Sequence, residues 1–283
     1  MRRAVVAWAM AYGGLRIWFA TGHAPTWKLP GNDLLIPPWL AVAACAVTAL
    51  AAITIRAERG GVWVGWLFWV LAGGWVGAAA FILLDVVAAV LPGLGIPFDP
   101  LGMLCRVGAI LGAVLLGLTA KAHQSKAKPL PHWIATLGAC LAVAGCLTRL
   151  AAQAAVGFGA TPYGRDLSLF LFEAGFMLVG TLLPFLLVHP IGRRFPRWVL
   201  LVPGFTLGAG MTAYFGVGLI QMIVATVQGK PMFADIPLPD AFFWVAVPAY
   251  VVWGAGLTLA TRGYQFATRK ATDSECELQI TRS

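Results

Sequence analysis

The sequence predicts an all-α membrane protein, a bundle of about eight transmembrane helices arranged as four hairpins. Three observations carry that expectation. Hydrophobic residues make up 60% of the 283 and charged residues only 11%, against roughly 45–50% and 25% in soluble domains. Mean hydropathy is +0.82. The apolar residues also fall into eight runs, 4–20, 37–55, 62–91, 101–120, 133–156, 167–188, 198–227 and 241–261. Each is near or above the roughly 20 residues that cross about 30 Å of hydrocarbon. A surface with so little charge excludes a soluble enzyme, a disordered protein and a disulfide-stapled secreted scaffold.

The first run begins Met1-Arg2-Arg3 and looks like a signal peptide. Arg16 interrupts its apolar stretch and no convincing cleavage site follows, so it reads as a retained first span. The third and seventh runs, about 30 residues each, are long enough to tilt or to project beyond the bilayer. Residues 1–270 then form one transmembrane domain, and 271–283 a short, polar cytoplasmic tail expected to be disordered.

The loops set the orientation. Arg2, Arg3, Arg56, Arg59, Lys121, Lys126, Lys128, Arg193, Arg194, Arg197, Arg262, Arg269, Lys270 and Arg282 all fall on one side of the alternation. Only Lys28, Arg165 and Lys230 fall on the other, together with Asp33, Asp99, Asp166, Asp235 and Asp240. Positive charge stays inside, so both termini are expected in the cytoplasm of a plasma-membrane protein. The net charge of +9 then meets anionic membrane lipid rather than nucleic acid.

The pattern also repeats. Pro131-His132-Trp133 and Pro196-Arg197-Trp198 open two spans alike, and Arg16 and Arg149 sit 133 positions apart. Duplication of a four-span unit would give halves 1–132 and 133–270. The alternative is that any alternating helical protein looks periodic. Gly73 with Gly77, Gly108 with Gly112 and Gly204 with Gly208 are small-xxx-small pairs that let helices approach closely.

The ionisable residues inside the spans are the candidate site. They are Arg16, Asp85, Arg106, Arg149 and Glu173. An intramembrane ion costs at least about 2.5–3.5 kcal/mol and requires a partner. At 1.5 Å per residue, all five lie about 6–11 Å below the outer ends of their spans. Hairpin neighbours can pair, Asp85 with Arg106 and Arg149 with Glu173. That leaves Arg16 as a lone cation and the expected functional one. Tyr12 and Gln153, each one turn from an arginine, and Gln221 and Tyr214 on the seventh span are expected to complete a ligand-binding layer.

Two kinds of activity fit such a layer. One is binding or transport of a small anionic or lipid-like ligand. The other is an intramembrane enzyme for a lipid or isoprenoid, loosely similar to integral-membrane terpene cyclases. There Asp85 or Glu173 would be the general acid, and Trp75, Phe81 and Tyr214 would stabilise cations. An accessory subunit of a membrane complex is the plainer alternative. No metal or cofactor is expected. His23, His123, His132 and His189 fall on both sides of the membrane, and Cys45, Cys105, Cys140, Cys146 and Cys276 form no C-x-x-C. Asp99 is expected to cap the fourth span.

The run Leu83-Leu84-Asp85-Val86-Val87, the stretch from Leu91-Pro92-Gly93 to Phe98-Asp99-Pro100, Gln153 to Phe158, and Glu173-Ala174-Gly175-Phe176 resemble uncharacterised multi-pass membrane proteins of high-GC actinobacteria. The resemblance implies an actinobacterial plasma membrane and no particular activity.

The topology is testable. Cysteines introduced at Lys28, Asp99, Arg165 and Lys230 should react with an impermeant thiol reagent from outside. Reaction of residues 121–132 from outside would reverse the assignment.

Overall fold

A computed structural model of the chain describes residues 1–28, 33–54, 62–123, 131–158, 167–230 and 238–280. Arg56, Arg59, Lys126, Lys128, Arg165, Asp166, Asp235 and Arg282 of the loop reading therefore lie outside the described residues. Among the described residues all regular structure is helical. The helices are α1 (Arg2–Trp18), α2 (Pro38–Thr54), α3 (Val62–Ala78), α4 (Ile82–Val90), α5 (Pro100–His123), α6 (His132–Val156), α7 (Leu167–Val188), α8 (Arg197–Val227) and α9 (Asp240–Ile280).

Five of them, α5 to α9, are long and apolar enough to cross a membrane. They expose large apolar side chains such as Leu104, Phe170, Leu178 and Ile220, which suit lipid and not water. The third run is not one straight span. It breaks into α3 and α4, bent by 44°. α1 and α2 hold 17 residues each, about 26 Å of helix, somewhat short of the hydrocarbon thickness. Among the described residues, five helices are thus long and apolar enough to cross, and the bent pair would make a sixth.

The break has a local cause. Ala78, Ala79 and Ala80 are buried. The helical ladder tightens there to three-residue bonds, Ala80 N–H to Gly77 O at 3.2 Å and Ile82 N–H to Ala79 O at 2.9 Å. The N–H of Leu35, from the loop before α2, takes the Ala78 carbonyl at 3.0 Å. A foreign donor inserted into the ladder kinks a helix.

The chain divides into two compact units, Met1–Pro92 with Ile96–Ala127, and Lys128–Ser283 with Gly93–Gly95. In the first, α1 packs on α2 and α5, and α3 and α4 pack on α5. Trp8 and Tyr12 of α1 stack with centroids 5.4 Å apart and meet the edge of Trp75 of α3. Gly108 and Gly112 of α5 make room for the two rings, since a Cβ at either would strike Tyr12 or Trp8. The Trp8 indole N–H then donates to Gly108 O at 2.8 Å, and the Tyr12 hydroxyl to Cys105 O at 2.7 Å.

In the second unit α9 is the central helix, packed against α6, α7 and α8, and α6 also packs on α7. Backbones approach closely. A Cβ on Gly145 would lie 2.6 Å from Ala249 O, and one on Gly138 would lie 2.8 Å from Gly256 O. Gly204 and Gly208 of α8 face Thr261 and Thr258 of α9. The same order holds in both units: the first helix packs on the second and the last, and the third on the last. Of the small-residue pairs, Gly73 and Gly77 meet nothing within 4 Å and make no interface.

The tail corrects the expectation of disorder, because α9 runs on to Ile280. Residues 271–280 hold Ala, Glu, Leu and Gln, good helix formers. They extend an existing helix and so avoid the cost of nucleation.

Alanine at Gly145 should lower stability by about 1–3 kcal/mol through overpacking. The same change at open Gly73 should be neutral or slightly stabilising. Thermal unfolding in detergent checks both, and equal effects at the two sites would contradict the packing described.

Candidate functional site

The first unit holds two buried ion pairs. Arg16 sits one turn after Tyr12 on α1. Its Nη2 donates to the Tyr12 hydroxyl at 2.5 Å, and its Nη1 lies 2.6 Å from Asp33 Oδ2. Arg16 is 1% exposed. It is therefore not the lone cation that the spacing of the spans predicts. Its carboxylate comes from the loop between α1 and α2.

That loop folds inward for visible reasons. Leu34, next to Asp33, is buried, and Leu35 is tied to Ala78. Asp99 accepts from Gly102 N–H at 3.1 Å, the expected cap of α5, and also from Lys28 N–H at 3.1 Å. One carboxylate thus starts a helix and pins the loop over it.

The second pair is Arg106 with Asp85, at 2.5 Å and with both side chains fully buried. The bend between α3 and α4 precedes Asp85 by one turn, and Phe81 at the bend lies under the guanidinium, 5.8 Å from centroid to Cζ. A Cβ on Gly102 would approach both Asp99 Oδ2 and Arg106 Nη1, at 2.8 and 3.1 Å. Two buried guanidiniums, Arg16 and Arg106, therefore share this unit with three buried carboxylates, Asp33, Asp85 and Asp99. The expected surplus of positive charge is absent.

The second unit holds a pair of different character. Arg149 of α6 binds Glu173 of α7 through both nitrogens, Nη2 to Oε1 at 2.6 Å and Nη1 to Oε2. This bidentate geometry is the strong form of the contact. Its side chains are 10% and 26% exposed, against 1% and 4% for Arg16–Asp33 and none for Asp85–Arg106. Aromatic rings surround it. Tyr250 lies 5.7 Å from the Arg149 Cζ, and Phe176 meets Tyr250 and Trp253 edge-on at 6.0 and 5.3 Å. Phe215 stacks on Tyr250 at 3.9 Å, and Tyr214 follows through Phe215. Arg149 Nε and Trp253 Nε1 are buried donors with no hydrogen-bond partner among the described residues.

The other expected members differ in place. Gln153 donates to Gly157 O at 3.1 Å, closing the C-terminal turn of α6 where Gly157 adopts φ 92°. Gln221 is exposed on α8 and does not join the pair. Seven positions after Tyr214 the heptad drifts by about 20°, and α8 is little buried on any face. Asp33, Tyr250 and Trp253 were not anticipated. The one available signal for Asp33 was the apolar Leu34-Leu35-Ile36 beside it, too short to span and so inclined to bury.

Among the described residues no group of three His, Cys, Asp or Glu could hold a metal ion. Comparison with protein-family models, curated proteins and solved structures finds no match.

Asp85→Asn should destabilise the protein by about 3–5 kcal/mol, because it strands Arg106 in the core. The double variant Asp85→Leu with Arg106→Met should regain most of that loss. Thermal melts of the single and double variants decide it, and additive losses would contradict a direct pair.

Proposed function

We propose that the chain is a multi-pass plasma-membrane protein that binds or carries a lipid-like ligand with a dipolar headgroup, at Arg149 and Glu173. One observation carries this reading: of the three buried ion pairs among the described residues, only this one has an accessible carboxylate. A pair with no net charge suits a ligand with none. The ligand's cationic group would meet Glu173 and the ring of Phe176, which attracts a cation at its face. Its anionic group would meet the Arg149 guanidinium and the Trp253 indole N–H. An acyl tail would lie on the exposed apolar side of α7, at Phe170, Leu171 and Leu178.

Arg16, paired with Asp33, is no lone cation to favour an anionic ligand. Asp85 is sealed against Arg106, which removes one of the two acids an enzyme could use. The first unit is the structural counterpart in this reading. The shared packing order, and an arginine near the outer end of each first helix, support descent of both units from one four-span element. The distribution of basic loop residues supports cytoplasmic termini.

Glu173→Gln should reduce photo-crosslinking of a diazirine-bearing phosphatidylethanolamine to residues 170–178 about tenfold in nanodiscs, the loss of one charge-assisted contact. Arg149→Lys should also weaken it, because a lysine cannot reproduce the fork. Crosslinking that is indifferent to both changes would overturn the proposal.

A further inference from the structure

The opposite end of the second unit carries a second polar site, distinct from the pair just described. His132 and Arg149 are 17 positions apart on α6, which places the two sites about 25 Å apart. At this end α6 and α8 begin, α7 ends, and α9 passes with its Gly263–Ala267 segment. Between them lies a cavity of about 140 Å³ lined by His132, His189, Arg193 and Tyr264, with Leu187 and Phe266 as apolar wall.

The cavity is built and not an accident of loose loops. Pro190 starts a short 3-10 turn, Pro190–Arg194, that carries Arg193. The buried Tyr264 hydroxyl donates to Gly192 O at 3.1 Å and ties the turn to α9. A Cβ at Gly192 would collide with the Leu186 carbonyl, so only glycine lets the turn fold this tightly. His189 Nδ1 accepts from Ile191 N–H at 3.3 Å. A neutral imidazole that accepts at Nδ1 carries its proton on Nε2 and donates there. Arg193 adds a planar fork of charged donors. The N-terminus of α6, which bears His132 and is not closed by a side-chain cap, adds partial positive charge. No Asp or Glu lines the cavity.

We infer that this cleft binds a phosphate group, with Arg193 and His189 as its principal donors. The volume accommodates one phosphate and the first carbons of whatever bears it. Leu187 and Phe266 give those carbons an apolar wall, as a phospholipid at the end of a helical bundle requires. A free phosphate has the same charged group and lacks the carbons.

Titration of the full-length protein in neutral detergent tests this with three probes: short-chain phosphatidylglycerol, short-chain phosphatidylcholine and inorganic phosphate. Phosphatidylglycerol is expected to bind at least tenfold more tightly than phosphatidylcholine. Arg193→Gln should weaken it about tenfold, and Arg193→Lys less. Arg194→Gln, next in sequence but outside the cavity lining, should change it less than twofold. His189→Gln gives an independent reading should Arg193→Gln fold poorly, with an expected loss of several-fold. Binding of inorganic phosphate with the same sensitivity to Arg193 would make a soluble phosphate the ligand, and its failure to bind would make it the lipid; either result upholds the site. Absence of binding by all probes, or equal losses in Arg193→Gln and Arg194→Gln, would overturn it.

Discussion

An arginine inside an apolar helix must find a carboxylate, and much of this molecule is arranged around that constraint. Ions of one sign cannot be left in hydrocarbon or in a dry core without a cost of several kcal/mol each. Arg16 meets it with Asp33, a residue of the loop before α2 that is buried against it. The same loop brings Leu35 to the end of α3, where its N–H occupies the Ala78 carbonyl and the third span breaks. The bend then precedes Asp85, which closes on Arg106. Loop, kink and second ion pair lie along one chain of contacts.

Small residues make the second layer of the design. The apolar environment supplies no hydrophobic drive between helices, so association relies on contact. Gly138 and Gly145 let α6 approach the α9 backbone, while Gly108 and Gly112 of α5 accept the rings of Tyr12 and Trp8. The same motif therefore does two jobs, and at Gly73 and Gly77 it does neither. What a glycine pair does depends on which side of its helix faces a neighbour.

The two units solve the arginine problem to different degrees. In the first, protein groups close over both guanidiniums. In the second, Arg149 and Glu173 are held by a bidentate contact and ringed by aromatics, yet remain open on the carboxylate side. An ion pair that is held but not covered can exchange one partner for a ligand at lower cost than a sealed one. The proposed binding reading follows from that contrast, and so does the assignment of the first unit to structure.

Composition and periodicity alone determined the all-helical class and most helix boundaries, because a run of apolar residues must satisfy its own backbone hydrogen bonds. The pairs Asp85–Arg106 and Arg149–Glu173 were legible too, since hairpin neighbours at one depth have few other partners. Three things were decided only by tertiary structure. Asp33 came from a loop, where no period predicts burial. The bend at Ala79–Phe81 depended on a hydrogen bond from a residue more than 40 positions away. The aromatic group beside Arg149 came from α7, α8 and α9, whose rotation about their axes is fixed by packing and not by spacing. Local patterns set which segments are helices. Contacts between distant segments set which faces of them meet, and a charged side chain's role depends on the face.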